Sequence, residues 1–434
     1  MGRVASTVIG HMAFGVFVID PVSDRRLTYE QLLVAMQARV YRPALRPTDM
    51  VEACVEVVRA MVFGLELTLF DSDFSAEECA QLGGTAEVLA EERPIVEAAP
   101  GTIGEMVERA RAQRGLRLRL FTSGSTGLPK RVSHGLDSLT RMLRVSTRHA
   151  EDVWGFAYNP THMAGVQVLV QAFFNGNAMV NLFGAERDVV LDASEAHGVT
   201  RLSATPSWYR LLLPVDRPLP RVRGVTLGGE RADAALLGRL RAAFPQARLH
   251  NLYASTEAGA LLASEGDLFR IPKELEARVR VRDGALEVHA TLLGRFADGA
   301  SESTSTDGWY RTGDAVEIVG EEEPLSFRIV GRARDWVNVG GSKVNPAEVE
   351  EALREFPGVI DARVTGRPNS VLGHVLQAEI EAEEETRGHP RPTSAELRAF
   401  LTGRLQPFKI PRLYAFVERI ERTRTGKLQR AGAR

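Results

Sequence analysis

Between residues 153 and 256 the chain alternates two textures with little between them. VWGFAY (153–158), AMVNLF (178–183), TRLSAT (200–205), VRGVTLGG (222–229) and ARLHNLYAST (247–256) are short apolar runs of strand length. VQVLVQAFFNG (166–176) and ADAALLGRLRAAF (232–244) lie among them with the length and spacing of helices. Apolar strands alternating with helices imply a mostly parallel α/β sheet covered on both faces. Sheets of this kind bind ligands in the loops beyond the carboxyl ends of their strands. Those loops are where function is to be sought.

The flanking segments extend the pattern. TYEQLLVAMQARVYRP (28–43) reads as a helix capped by Thr28. MVEACVEVVRAMVFGLELTLFD (50–71) reads as an apolar helix stopped at Gly64, then a strand. After residue 265 the strands shorten and Gly/Asp turns multiply, as in GALEVHATLLG (284–294) and WYRTGDAVEIVG (309–320). Beyond GRARDW (331–336) comes a third texture: a helix at VNPAEVEEALREF (344–356), strands at VIDARVTGRP (359–368) and HVLQAEIEAE (374–383), a Glu-rich loop at 381–392, and a helix at SAELRAFLTGRL (394–405). A domain boundary is therefore expected near Arg332–Asp335, dividing 1–332 from 333–434. The length of 434 residues also favours two or three domains.

Composition narrows the function classes. A net charge of −2 gives no electrostatic reason to expect nucleic acid or an anionic membrane as partner. The only cysteines are Cys54 and Cys79, with no CxxC and no Cys/His cluster, which argues against a disulfide framework or structural zinc and fits a reducing cytoplasm. No run of ~18 apolar residues exists, and the apolar stretch at 4–20 is broken by His11, so neither a membrane span nor a signal peptide is expected.

The loop that stands out is FTSGSTGLPK (121–130), directly behind the strand-like LRLRL of 116–120. Ser, Thr and Gly offer backbone N–H groups and hydroxyls without bulk, and Lys130 adds charge, a combination suited to polyphosphate. It is not the Walker loop, because Gly124 and Gly127 are too close and Arg131 follows the lysine. Taken alone, it reads equally well as a surface turn.

Five ordered motifs decide between these readings. TSGSTGLPK resembles the phosphate-binding signature of the adenylate-forming superfamily of acyl- and aryl-CoA synthetases, peptide-synthetase adenylation domains and luciferases. LGGE (227–230) and NLYASTEAG (251–259) resemble its adenine and magnesium segments. GWYRTGD (308–314) with GRARDWVNVGGSKVNPAEVE (331–350) resembles its ribose site, hinge and interdomain strand, and ERTRTGKLQR (421–430) its lysine loop. LTYEQL (27–32) and LRPTDMV (45–51) resemble the opening helix and first strand.

The resemblance implies a large multi-subdomain N-terminal domain, somewhat truncated at its start, and a small mobile α+β lid carrying the lysine loop. It implies that Thr122, Ser123, Gly124, Ser125, Thr126, Gly127 and Lys130 hold the departing phosphates. Tyr253 would stack on adenine beside Gly229 and Glu230, Thr256 would meet the α-phosphate, and Glu257 would ligate Mg²⁺. Asp314, assisted by Arg332, would accept the ribose hydroxyls, and Lys427 would bridge the acid and the α-phosphate. These types suit the chemistry, because a carboxylate approaching ATP is an anion approaching an anion and needs fixed positive charge. Each also has a plainer reading: Asp314 as a turn aspartate, Glu257 as a helix N-terminal acid, Tyr253 as core, Lys427 as one more surface cation beside Arg422, Arg424 and Arg430.

For the acid, the informative stretch is YNPTHMAGVQVLVQ (158–171), which lacks the aspartate that pairs an α-ammonium in amino-acid-activating relatives and resembles the P-x-x-H-x-x-G segment of acyl- and aryl-CoA ligases. His162 would then stand at the mouth of an apolar pocket lined by Met163, Val166, Gly228, Ala258 and Gly259; the alternative is a buried structural histidine. Gly340 and Gly341 could let a pantetheine arm pass close to the backbone. Arg334 occupies the hinge position, where the family usually has Asp or Lys, and the region before the phosphate loop is short for the family. The implied activity is an AMP-forming acid–thiol ligase using ATP, Mg²⁺ and the thiol of CoA or a carrier protein, with o-succinylbenzoate-type ligases similar in compactness. An enzyme passing the adenylate to another acceptor, as in amide formation, and an inactive nucleotide-binding relative are the alternatives.

Overall fold

The computed structural model describes residues 14–122, 129–217, 219–264, 266–296, 307–320, 325–332, 335–369, 372–382 and 391–422. Its centre is an eight-stranded sheet in the order Gly259–Ser264, Arg248–Ser255, Gly224–Gly228, Arg201–Ala204, Val153–Phe156, Ala178–Asn181, Val16–Asp20, Arg25–Thr28. The strands from Arg248–Ser255 to Val16–Asp20 are parallel, and an antiparallel strand closes each edge. All five strands read from the 153–256 alternation lie in it.

A second, five-stranded sheet carries Ala44–Leu45, Glu66–Leu69, Arg117–Phe121 and Arg131–His134, with Arg295–Phe296 at its edge. The helix Met50–Phe63 packs between sheets and is buried on nearly all sides, ending at Gly64 with φ 64°. Only a residue without a Cβ takes that left-handed turn cheaply. A third, antiparallel sheet contains Trp309–Val319 and Ser326–Arg332.

Two local expectations are corrected. The helix expected over 28–43 covers only Tyr29–Ala35, because Val40–Tyr41 leaves it to pair with Arg93–Pro94. Of the LRPTDMV segment only Leu45 is in a strand, Ala44–Leu45; Asp49 caps the helix that starts at Met50, its side chain accepting from the Glu52 N–H. The Thr28 cap is present, with Gln31 reciprocating.

The C-terminal region forms its own sheet of Val337–Val339, Ser342–Val344, Val359–Asn369, Gly373–Ala382 and Leu413–Val417, backed by helices Pro346–Arg354 and Ser394–Thr402 around a separate core. A buried ionic chain joins it to the central sheet. Asp233, capping the helix Ala234–Ala243, takes Arg210 at 2.7 Å and Arg354 at 3.1 Å. Arg354 continues to Asp361 at 3.3 Å, and Asp361 to Arg422 at 2.7 Å. Asp233 and Asp361 are 3% and 0% exposed, so these charges are stable only in one another's company.

Candidate active site

The loop expected to hold phosphates joins the antiparallel strands Arg117–Phe121 and Arg131–His134, unlike a strand-to-helix P-loop. Its neck is pinned: the Thr122 N–H donates to the Lys130 carbonyl at 2.8 Å, and the Lys130 N–H to Thr122 Oγ1 at 3.1 Å. Ser123, Gly124, Ser125, Thr126, Gly127, Arg334 and Lys427 lie outside the described residues.

Beyond the strand Arg248–Ser255 the backbone is gripped from outside. His134 Nε2 donates to the Thr256 carbonyl at 2.8 Å, the Gly294 N–H to the Glu257 carbonyl at 2.7 Å, and Arg141 Nη1 to the Ala258 carbonyl at 2.6 Å. Three successive carbonyls are thereby held, while the side chains of Thr256 and Glu257 make no hydrogen bond among the described residues. A rigid turn presents a hydroxyl and a carboxylate. No cluster of three or more His, Cys, Asp or Glu suited to a metal occurs among the described residues. A single carboxylate such as Glu257 matches how Mg²⁺ is bound when phosphates and water complete its shell.

Sequence reasoning missed His134 and Arg141; the available signal was a lone histidine ending the strand after the phosphate loop. His134 is 1% exposed. Burial drives its pKa from 6.5 down to about 4, with the Thr256 carbonyl opposing and Arg141 assisting. The ring is thus neutral at working pH and keeps its Nε2–H for Thr256. An unfolded chain takes the proton first, so this group's contribution to stability is whole above pH 6.5 and is lost as pH falls toward 4, by about 3 kcal/mol in all. Thermal unfolding across that window should show His134→Gln losing less stability than the native protein. Parallel curves would refute the assignment.

The ribose-side residues form a tight triad. The Tyr253 hydroxyl donates to Asp314 Oδ2 at 2.6 Å, and Arg332 Nε meets Asp314 Oδ1 at 2.8 Å. Arg332 Nη1 also donates to the Thr312 carbonyl at 2.8 Å. Asp314 and Arg332 are opposite each other across paired strands, which fixes the register of the pair. Burial first, then the Asp314 charge, push the Tyr253 hydroxyl well up, so it remains a donor. Each Asp314 oxygen keeps a second lone pair for a ligand hydroxyl. Glu230, behind Gly229 with φ 85°, accepts from the Ser207 N–H and hydroxyl at 2.9 and 2.7 Å, leaving its Oε1 buried without a partner among the described residues.

On the other side, Met163 and Val166 begin the helix Met163–Asn175 and are enclosed in the core with Phe156 and Tyr158. A Cβ at Gly228 would come within 3.2 Å of the Tyr158 hydroxyl, and one at Gly259 (φ 69°) within 3.1 Å of Gln167 Nε2. Ala258 is buried beside them. His162 precedes the helix and binds Asp71 Oδ2 through Nε2 at 2.6 Å, a partner the sequence did not suggest. Asp71 lies below the usual carboxylate range: burial raises it, but the hydrogen bond and charge of His162 outweigh that, with Asp73 and Asn159 adding to the effect. Gly340 and Gly341 form the two-residue turn between Val337–Val339 and Ser342–Val344 with φ 58° and 88°, the geometry a hairpin of this type demands.

Comparison with known proteins identifies the family. Residues 53–284 match the model of the AMP-binding enzyme family and residues 348–427 that of the AMP-binding enzyme C-terminal domain. The chain is 26% identical over 327 residues to 2-succinylbenzoate–CoA ligase of Listeria monocytogenes, covering 72% of this chain and 68% of that one. It is 28% identical over 355 residues to the fatty acid–[acyl-carrier-protein] ligase ScoC of Streptomyces coeruleorubidus, covering 72% and 66%. In fold it is similar to o-succinylbenzoate CoA synthetase from Bacillus subtilis in complex with an acyl-adenylate, with a TM-score of 0.70 and 20% identity over 98% of this chain and 96% of that one. With more than half its length matched, the chain belongs to the AMP-binding enzyme family.

Proposed function

We propose that the protein is an ATP-dependent acid–thiol ligase. In the first half-reaction a carboxylate oxygen bonds to the α-phosphorus of ATP and pyrophosphate leaves. In the second, a thiol sulfur bonds to the acyl carbon, AMP leaves, and the thiol proton passes to solvent. The observation that carries this reading is the Asp314–Tyr253–Arg332 triad beside a turn whose carbonyls are held and whose Thr256 and Glu257 side chains make no hydrogen bond among the described residues. Bound Mg²⁺ would supply charge neutralisation at the phosphates. This chain's own part is to hold the ribose at Asp314, present Thr256 to the α-phosphate, and offer Lys130 and Lys427 as fixed cations.

Three finer points belong to the same proposal. The acid is apolar, acyl or aryl, because the 158–171 segment has no carboxylate of its own for an ammonium and runs into the apolar Met163–Asn175 helix. The thiol belongs to CoA or to a carrier protein, since relatives named for each align here. Residues 333–434 act as a lid turning about Arg334, which brings Lys427 in for the first step and the Gly340–Gly341 turn in for the second; the separate C-terminal core supports this. Among the described residues no helix is long and apolar enough to cross a membrane. A cytoplasmic location is part of the same proposal, and the two buried free cysteines accord with it.

ATP–pyrophosphate exchange over a panel of acids tests the reading. Exchange is expected with benzoates or fatty acids and none above background with free α-amino acids. The reverse pattern would overturn the acid assignment, and no exchange with any acid would favour an inactive nucleotide-binding relative.

A further inference from the structure

The strand Val153–Phe156 ends at the ligand-bearing edge of the parallel sheet, between the ends of Arg201–Ala204 and Ala178–Asn181, and the chain then passes through Asn159, Thr161 and His162 before the helix begins. Sheet topology alone therefore puts His162 at the site's rim. What holds it comes from elsewhere: Asp71 lies just beyond the strand Glu66–Leu69 of the second sheet, 91 residues earlier.

Both Asp71 oxygens are committed. Oδ1 accepts from Asn159 Nδ2 at 2.9 Å and from the Asp73 N–H at 3.0 Å, while Oδ2 takes His162 Nε2 at 2.6 Å. Asn159 is fixed in turn, its Oδ1 accepting from the Thr161 N–H at 2.9 Å and Oγ1 at 2.6 Å. With Asp71 only 6% exposed, the carboxylate cannot turn away from the histidine without giving up its bonds to Asn159 Nδ2 and the Asp73 N–H. The ring's other nitrogen, Nδ1, has no partner among the described residues, although the side chain is 18% exposed.

We infer that Asp71 is a positioning residue for acid binding: it locks His162 through Nε2–H and leaves Nδ1 as the ring's one available hydrogen-bonding atom for a polar group of the acid. This rests on the ligase reading. It makes His162 a fixed contact at the pocket mouth, and it makes substrate selection depend on a residue from a different sheet.

The test measures KM and kcat for the best acid of the exchange panel, and KM for ATP, in Asp71→Asn, Asp71→Glu, His162→Gln and the double variant D71N/H162Q. Asp71→Asn should raise KM for the acid roughly 10- to 100-fold, the scale of one charge-assisted hydrogen bond. KM for ATP should stay within about 2-fold. Asp71→Glu should recover part of the loss. In the His162→Gln background, Asp71→Asn should add less than about 3-fold. An equal effect in both backgrounds, or a parallel rise in KM for ATP, would overturn the inference and leave Asp71 a structural residue. If Asp71→Asn fails to fold, the comparison of Asp71→Glu with His162→Gln decides alone. Acid-dependent exchange by the native protein keeps the ligase reading in place whichever way this falls.

Discussion

Lys427→Ala should slow adenylate formation by about 10²–10³-fold while leaving thioester formation from supplied acyl-adenylate nearly intact. An ammonium about 4 Å from a phosphate or carboxylate oxygen is worth roughly 4 kcal/mol at an effective dielectric near 20. Each 1.36 kcal/mol is about tenfold in rate, and Lys130 and bound Mg²⁺ compensate in part. The chain leading to Lys427 is anchored in the C-terminal domain as far as it is described: the Ile420 N–H donates to Glu381 Oε2 at 3.0 Å, and Arg422 binds Asp361 at 2.7 Å. The alanine variant should therefore fold normally. The check is paired, with pyrophosphate release from ATP and free acid set against thioester release from synthetic acyl-AMP. A native adenylation rate would make Lys427 a surface cation, and loss of both steps in a folded variant would refute a lid that alternates.

Much of the fold was legible because its signals are local. Gly64 and Gly176 end helices where the apolar period stops, and each of the strands from 153 to 256 announces itself by composition. The errors came where two residues suffice to make an element. Val40–Tyr41 is a strand only because Arg93–Pro94 lies alongside, and nothing within residues 28–43 encodes that neighbour. The site divides the same way. Tyr253, Glu257 and Asp314 stand in contiguous motifs, whereas His134 meets Thr256 across 122 residues and Asp71 meets His162 across 91. A hydrogen bond at such separation leaves no period, spacing or composition in a single sequence. Arg354 is hidden more deeply still, because on an amphipathic helix it reads as one more solvated cation, and only the packing of two domains makes it a buried one.

That residue offers the second large effect. Replacing Arg354 with Met should destabilise the protein by about 3 kcal/mol, the lower end of what breaking a buried ion pair costs, because Asp233 keeps Arg210 and Asp361 keeps Arg422. Asp233 belongs to the central-sheet region, whereas Arg354 and Asp361 both belong to the C-terminal domain, so only the Arg354–Asp233 part of the loss falls on the contact between the two. The Arg231–Glu351 pair at 2.7 Å would remain as a second tie, only partly buried and therefore weaker. A lid that turns must break the Arg354–Asp233 contact in one of its two orientations, and each 1.36 kcal/mol of that contact biases such an equilibrium about tenfold. The half-reaction that uses the orientation described here should slow in Arg354→Met, while the other is unchanged or faster. Chemical denaturation with both half-reactions assayed on one preparation measures all three quantities. A drop in stability with both half-reactions untouched would mean that the ionic chain holds the two domains together without selecting between lid positions.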